Sequence, residues 1–157
     1  MARFIGIDYG TVRIGVAVTD PLGLIAYPLK TVKANEILPF LQTYTAKERI
    51  EGIVIGMPFD LERRQTNMTN LVKRFTRLLH RIFPEIPLYH HDERFTSLLA
   101  QASILESGMK KKKRRDKKHL DAISASFILR SFLTLHKSGK SEPLSHITSS
   151  IPLNECI

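Results

Sequence analysis

The sequence predicts a single α/β domain built on a mixed five-stranded sheet, with three antiparallel strands followed by parallel strands and with helices on both faces. Two observations lead to this prediction. Short apolar runs separated by turn residues fill the first 32 positions, and from position 35 onwards segments with helical spacing alternate with further short apolar runs. A chain of 157 residues, 43% hydrophobic and 25% charged, is long enough to bury one core.

The first three apolar runs predict an antiparallel meander. Residues 4–7 and 14–18 are apolar and flank the turn-like sequence Asp8-Tyr9-Gly10-Thr11. A third run, residues 24–32, follows the breaker sequence at positions 20–23. Pro28 lies within this run and indicates an edge strand, because proline has no N–H to donate to a ladder.

Helices and parallel strands are predicted in alternation along the rest of the domain. The predicted helices cover residues 35–46, 71–82, 96–106 and 120–136, and the predicted strands between them cover residues 53–58 and 87–91. We assign residues 1–136 to one domain and the Ser-rich residues 137–157 to a flexible C-terminal tail.

The positive charge is concentrated in one segment. Lys and Arg number 24 against 15 Asp and Glu, a formal charge of +9, and residues 110–118 alone hold eight basic residues and one acidic residue. Such a segment attracts the phosphates of a nucleic acid, although a solvated basic loop is the alternative. The predicted phosphate-binding residues are Lys110, Lys111, Lys112, Lys113, Arg114, Arg115, Lys117 and Lys118.

Composition also limits the cellular compartment. Cys156 is the one cysteine, so neither a disulfide framework nor a thiolate metal cluster is available. No stretch approaches the roughly 20 apolar residues that span a bilayer, and the first residues lack the pattern of a secretory signal. We therefore expect a cytoplasmic protein with no membrane partner.

Three acidic residues occupy positions that packing does not readily explain. Asp8 ends the first strand, and Glu93 follows the last strand. Asp121 heads a helical stripe that is otherwise apolar, formed by Ala125, Ile128 and Phe132. If the first and last strands are neighbours in the sheet, the three carboxylates converge at one end of it.

Convergence of carboxylates predicts a metal site. Two carboxylates about 4 Å apart repel each other by roughly 4 kcal/mol at a typical effective dielectric constant, and a divalent cation removes that penalty. Hard oxygen ligands suit Mg²⁺ or Mn²⁺, and two such ions can activate water for phosphodiester hydrolysis. Taken singly, Asp8 could instead cap a turn, Glu93 could form a surface ion pair, and Asp121 could favour a helix N-terminus.

Four further residues near these acids have two interpretations each. Arg13 and Arg94 could hold phosphate, or each could form a salt bridge. His90 and His91 point to opposite faces of a strand, so at most one of them faces any site, and a core or surface role is favoured for both.

The motifs resemble those of the YqgF family, also called the RuvX or Holliday-junction-resolvase-like family. The matching segments are Gly6-Ile7-Asp8-Tyr9-Gly10-Thr11 with the strand that follows, Asp92-Glu93-Arg94-Phe95-Thr96, and Leu120-Asp121-Ala122-Ile123-Ser124-Ala125. Two departures stand out, since Val12 replaces a usual Lys and the usual Asp-Gly turn after Met57-Pro58 is absent.

The resemblance implies a ribonuclease H-like fold, a cytoplasmic location and a catalytic, metal-binding triad that falls on Asp8, Glu93 and Asp121. It implies nuclease action in maturing the 5′ end of pre-16S ribosomal RNA, free or in a ribosomal particle. An older proposal for the family is resolution of Holliday junctions, which would need a homodimer to cut both strands of branched DNA.

Two other function classes remain open at the level of sequence. A non-catalytic RNA-binding factor for ribosome assembly would use the same basic segment but would not need the acidic triad. An ATP-binding protein of the actin and sugar-kinase type also carries an Asp-x-Gly-Thr hairpin, yet it binds nucleotide between two domains, and this chain has room for one.

Overall fold

The computed structural model describes residues 2–58, 66–92 and 117–144, with side chains from residue 120 onwards in the last range. The elements in these ranges are, in chain order, β1 (Arg3–Asp8), β2 (Arg13–Thr19), β3 (Ala26–Lys33), a 3-10 turn (Ala34–Glu36), α1 (Ile37–Thr45), β4 (Ile50–Met57), α2 (Asn67–Ile82), β5 (Leu88–Asp92) and α3 (Lys117–Lys137). Each confirms a predicted element. The helix predicted at residues 96–106 lies outside the described residues.

The five strands form one mixed sheet in the order β3-β2-β1-β4-β5. The pairs β1–β2 and β2–β3 are antiparallel, whereas β1–β4 and β4–β5 are parallel, which confirms the predicted arrangement. The assumption that the first and last strands are neighbours was wrong, because β4 lies between them. Since β2 occupies one side of β1, the first crossover adds β4 on the free side, and the next crossover adds β5 beyond it.

Strand β3 forms one edge of the sheet, as Pro28 predicted. Its pairing with β2 shifts register between Val16, which pairs with Lys30, and Ala17, which pairs with Pro28. Leu29 is the extra residue, so a β-bulge lies next to the proline. Both features interrupt the edge and discourage pairing with a further strand.

Helices cover both faces of the sheet, as predicted. On one face, Ile37 and Leu41 of α1 and Val72, Phe75 and Leu79 of α2 pack on the strands. On the other face, α3 packs on all five strands and buries the apolar residues Ala125, Ile128, Leu129, Phe132 and Leu133. Two separate clusters of buried side chains therefore hold the sheet between its helices.

The division into a domain and a tail at residue 136 stays a prediction. In the described part of that region, the N–H of Leu144 donates to the carbonyl oxygen of Leu88 at 2.8 Å, and the Leu144 side chain packs against the cluster beneath α1 and α2. Within the described ranges, no helix has the length and apolar character needed to cross a bilayer.

Candidate active site

The carboxyl ends of three parallel strands define one edge of the sheet, which we call the active-site edge. Asp8 is the last residue of β1, Met57 ends β4, and Asp92 ends β5. The registers Ile7–Ile55, Ile55–His90 and Met57–Asp92 keep these ends level. Side chains that follow these strands therefore meet at the same edge.

The first turns of α3 bring Asp121 to Asp8. The antiparallel ladder pairs Asp8 with Gly15 of β2, and the backbone of Asp121 passes directly over Gly15. A Cβ atom placed on Gly15 would lie 1.9 Å from the carbonyl oxygen of Asp121, far inside any real contact. The missing side chain of Gly15 thus lets α3 approach the sheet closely enough to carry Asp121 to the end of β1.

The two carboxylates interact electrostatically. Burial, followed by the negative charge of Asp121, raises the pKa of Asp8 from an ordinary value of 3.8 to about 7. Asp8 therefore lies at a position that disfavours its charged form. It ends a strand whose four central residues are buried. If Asp8 only capped a turn, hydrogen bonds from backbone N–H groups would lower its pKa. This is the case for Asp20, whose pKa is lowered by the N–H groups of Ile25 and its neighbours.

Arg13 balances the negative charge of Asp121. Its Nε donates to Oδ2 of Asp121 at 2.8 Å, with side chains 31% and 27% exposed, respectively. The salt bridge, which was one of two interpretations of Arg13, is therefore present. It fixes the orientation of the Asp121 carboxylate from the first residue of β2, and the second interpretation, contact with phosphate, stays a prediction.

Several predicted site residues lie outside the described ranges. Glu93 and Arg94 do so, as do residues 110–115 of the basic segment, and Lys117 and Lys118 are described only by their backbone in α3. Asp92, one residue before Glu93, is exposed at the end of β5. Because β4 separates β1 from β5, the ends of these strands are two strand spacings apart, about 10 Å. The place of Glu93 in the triad stays a prediction.

The donors in the described residues fit a hard divalent cation. Asp8 and Asp121 offer carboxylate oxygens, the ligand type that Mg²⁺ and Mn²⁺ prefer. Burial and the charge of Asp121 together disfavour the charged form of Asp8, and a bound cation would offset both effects. Within the described ranges no third His, Cys, Asp or Glu joins them in a metal-binding cluster.

His90 and His91 are structural, which agrees with the favoured interpretation. His90 Nε2 hydrogen-bonds to Thr76 Oγ1 of α2 at 2.8 Å, and His91 Nε2 hydrogen-bonds to Ser131 Oγ of α3 at 2.8 Å. Burial lowers the pKa of both, in His90 to about 4, with a smaller contribution from the charge of Lys73. Both rings are therefore neutral near pH 7, and each ties β5 to a different helix layer.

Two glycines were missed as contributors to the site. Gly6 resembles Gly15, because a Cβ atom there would lie 2.9 Å from the carbonyl oxygen of Ala125 and equally close to Leu129 Cβ. Both glycines lie beneath α3 on the central strands. The signal in the sequence was the presence of glycine inside apolar strand runs, which often marks a close backbone approach.

The raised pKa of Asp8 predicts competition between protons and metal. A cation bound by Asp8 would have to displace the proton that Asp8 holds below pH 7, so we expect Mn²⁺ affinity to rise about tenfold per pH unit from pH 5.5 to 7 and to level off above that range. Titration calorimetry in buffers of different ionisation enthalpy should count about one released proton per site at pH 6 and nearly none at pH 8.5. Affinity independent of pH between 5.5 and 7 would contradict this.

The chain resembles known proteins over most of its length. The family model described as RuvX: Holliday junction resolvase matches residues 2–135. A protein of Amoebophilus asiaticus is 50% identical over 137 residues, covering 87% of this chain and 97% of its own, and one of Bacteroides thetaiotaomicron is 45% identical over 133 residues, covering 85% and 96%. Both carry the provisional name of a pre-16S rRNA nuclease.

The fold has a counterpart among solved structures. RuvC of Thermus thermophilus, solved in complex with a Holliday junction substrate, superposes with a TM-score of 0.56 at 18% identity, covering 92% of this chain and 100% of the RuvC chain. At that identity the likeness concerns the fold alone, which is ribonuclease H-like. The family match over most of the chain and the relatives at up to 50% identity together show that this chain belongs to the RuvX family.

Proposed function

We propose that the protein is a metal-dependent nuclease that hydrolyses phosphodiester bonds at the active-site edge. The observation that carries the proposal is the meeting of Asp8 and Asp121 at this edge, where burial and then the charge of Asp121 raise the pKa of Asp8 to about 7. Acids with strongly shifted pKa values cluster at functional sites, and a divalent cation would relieve the repulsion between these two. Glu93, which directly follows β5, is the proposed third ligand.

The residues have distinct tasks in this mechanism. Asp8 and Asp121, with Glu93, would hold two Mg²⁺ or Mn²⁺ ions, which when bound supply activation of water and stabilisation of the leaving oxygen. Arg13 holds the Asp121 carboxylate in place through its 2.8 Å bond and balances its charge, so that the site does not repel the substrate phosphate. The basic residues 110–118 and Arg94 would hold the flanking phosphates.

The proposed substrate is structured RNA, namely the 5′ region of pre-16S ribosomal RNA, alone or within a ribosomal particle. Support comes from the names of relatives that match 96% or more of their own length. A cytoplasmic location accompanies this proposal, as predicted from the lone cysteine.

A four-way DNA junction is the second candidate substrate, favoured by the description of the matching family. The chemistry would be the same, but symmetric cutting of two strands requires two active sites related by a two-fold axis. A homodimer is therefore part of this second candidate.

The test compares both substrates in one assay. A 5′-extended pre-16S RNA and a four-way DNA junction are incubated with the full chain and Mn²⁺ or Mg²⁺, with a metal-free sample as the control. We expect metal-dependent cutting of the RNA. Cutting of the junction alone would move the assignment to the second candidate, and binding of RNA without cutting, also in ribosomal particles, would favour a non-catalytic assembly factor.

A further inference from the structure

The exposed side of α2 is strongly basic. Helix α2 carries Lys73, Arg74, Arg77 and Arg81 together with His80, and it contains no Asp or Glu. At about 100° per residue these five side chains fall within roughly a third of the helix circumference, opposite the residues that pack on the sheet. Arg74 and Arg81 are exposed and the other three are half-buried, so all five reach the surface.

This arrangement does not stabilise the helix itself. Lys73, Arg77 and Arg81 follow one another at intervals of four, and like charges at this spacing repel each other by a few tenths of a kcal/mol per pair. Basic residues in the last turn favour the helix dipole, which accounts for His80 and Arg81 but not for Lys73 or Arg77. The charge of Lys73 even reaches the core, where it adds to the effect of burial in lowering the pKa of His90.

The charge of α2 also stands apart from the rest of the chain. Residues 110–118 hold eight of the 24 basic residues and α2 holds four, so the remainder has 12 basic residues against 14 acidic ones. Outside these two segments the protein is slightly acidic. The excess positive charge therefore belongs to two segments, and a polyanion that binds one of them gains further by reaching the other.

Helix α2 and the start of α3, which follows the other basic segment along the chain, both lie at the active-site edge, on opposite faces of the sheet. Helix α2 starts there, because Thr69 Oγ1 donates to the carbonyl oxygen of Pro58 just after β4 and Thr66 caps the helix by accepting from the N–H of Thr69. From this edge α2 runs back along its face of the sheet for about 24 Å. Helix α3, which begins at Lys117 at the end of the other basic segment, packs on the opposite face.

The cation at the centre of the surface is partly held in place. Arg77 Nε is buried and has no hydrogen-bond partner, which is true of no other side-chain nitrogen or oxygen in the described part of the chain. Arg77 is half-buried as a whole, so its Nε is covered by protein while another part of the side chain remains accessible. A side chain held in this way loses less conformational freedom when it binds an anion.

We propose that the exposed side of α2 is a second phosphate-binding surface, which contacts one arm of a structured nucleic acid that bends around the active-site edge. One straight duplex cannot follow both faces of the sheet, so the fitting ligand is bent or branched, with its bend or branch at Asp8 and Asp121. The inference rests on the proposed function only for the kind of polyanion, since the surface itself reads phosphate charge and not base sequence.

The test measures binding without cleavage. The full chain, kept metal-free with EDTA, is titrated with a two-armed RNA and with a short single hairpin over a series of salt concentrations. We expect Lys73→Gln/Arg77→Gln to bind the two-armed RNA about tenfold more weakly and to lower the slope of log K against log salt by about 1.5 to 2. Binding of the short hairpin should change less than twofold.

Matched controls separate this effect from general loss of charge. Lys47→Gln/Arg49→Gln removes two exposed cations at the opposite edge of the sheet and should leave affinity and slope unchanged. Lys73→Gln/Arg81→Gln avoids the half-buried Arg77 and should reproduce the main effect if the first variant folds poorly. A DNA of the same shape shows whether the surface distinguishes RNA from DNA.

The outcomes distinguish this inference from the proposed function. An unchanged salt slope in both α2 variants would overturn the inference, whether or not the wild-type protein cuts RNA. An equal loss of affinity for the two-armed RNA in the α2 variants and in Lys47→Gln/Arg49→Gln would also overturn the inference. A lower slope in a protein that cuts no substrate would support the α2 surface and count against the nuclease.

Discussion

Replacing Asp8 by Asn is expected to lower metal-dependent cleavage by about a thousandfold or more while making the metal-free protein more stable. The loss of activity follows from removing the proposed metal ligand at the end of β1, which no other described residue replaces there. The gain in stability follows from the raised pKa of Asp8, since the folded state disfavours its charged form. If Asp8 lowers the stability of the fold and is needed for activity, Asp8→Asn should raise stability and lower the cleavage rate.

The raised pKa of Asp8 determines whether Asp8→Asn stabilises or destabilises the folded protein at a given pH. The folded pKa of Asp8, about 7, lies above its ordinary value of 3.8, so protonated Asp8 favours the folded state. Its contribution is fully present below about pH 4 and is lost as the pH rises through 7. Asn carries no charge, so Asp8→Asn should be more stable than the wild type by about 1–3 kcal/mol at pH 8, a rise of roughly 3–10 °C in Tm, with little difference at pH 4.

The experiment combines thermal melts in EDTA at pH 4 and 8 with cleavage assays in Mn²⁺. Asp20→Asn is the matched control, because Asp20 lies in the turn after β2, at the end of the sheet opposite Asp8. It should retain cleavage within a fewfold. If Asp8→Asn cut at the wild-type rate, or melted lower than the wild type at pH 8 in EDTA, Asp8 would not be the strained metal ligand described above.

The acids could be found from sequence because each one breaks a pattern. Asp121 stands at the head of a helical stripe whose other members, Ala125, Ile128 and Phe132, are buried as predicted. Asp8 ends a strand of buried residues in the same way. Periodicity reports which side of an element faces the core, so a charged residue on that side is visible without a structure.

The partners of these acids could not be found in this way. Arg13 and Asp121 are 108 residues apart, and nothing in the local sequence distinguishes a salt bridge from a phosphate contact. The place of β4 between β1 and β5 likewise depends on crossovers and not on local propensity. The basic side of α2 is readable from the sequence, but its relation to the active-site edge depends on how β4 leads into the helix.

Gly15→Ala is expected to disrupt the site without touching an acidic residue. The added Cβ would lie 1.9 Å from the carbonyl oxygen and 2.2 Å from the carbonyl carbon of Asp121, so the start of α3 must move by at least about 1 Å. These are backbone atoms, which cannot rotate away as a flexible side chain can. A displacement of this size at a reacting centre can cost about a hundredfold in rate, and we expect a loss of that order in cleavage.

Measurements of metal binding distinguish a displaced Asp121 from a general loss of stability in Gly15→Ala. Moving Asp121 away from Asp8 removes the second cause of the raised pKa, so the pH at which Mn²⁺ binding levels off should fall below the wild-type value of about 7. Mn²⁺ affinity at pH 8 should fall about tenfold, because two ligands no longer meet. Calorimetry well below the melting temperature of the variant measures both quantities on folded protein.

Gly52→Ala provides the matched control, as a second glycine in a central strand with close neighbours. Its added Cβ would approach Tyr89 Cε2 at 2.7 Å and Phe4 Cε1 at 3.0 Å, which are ring atoms near the start of the strands and can shift by rotation. We expect some loss of stability but Mn²⁺ affinity and its pH dependence within twofold of the wild type. If Gly15→Ala behaved like Gly52→Ala in both measurements, the close approach of α3 would serve packing alone, and Asp121 would not need its position over β2 to act with Asp8.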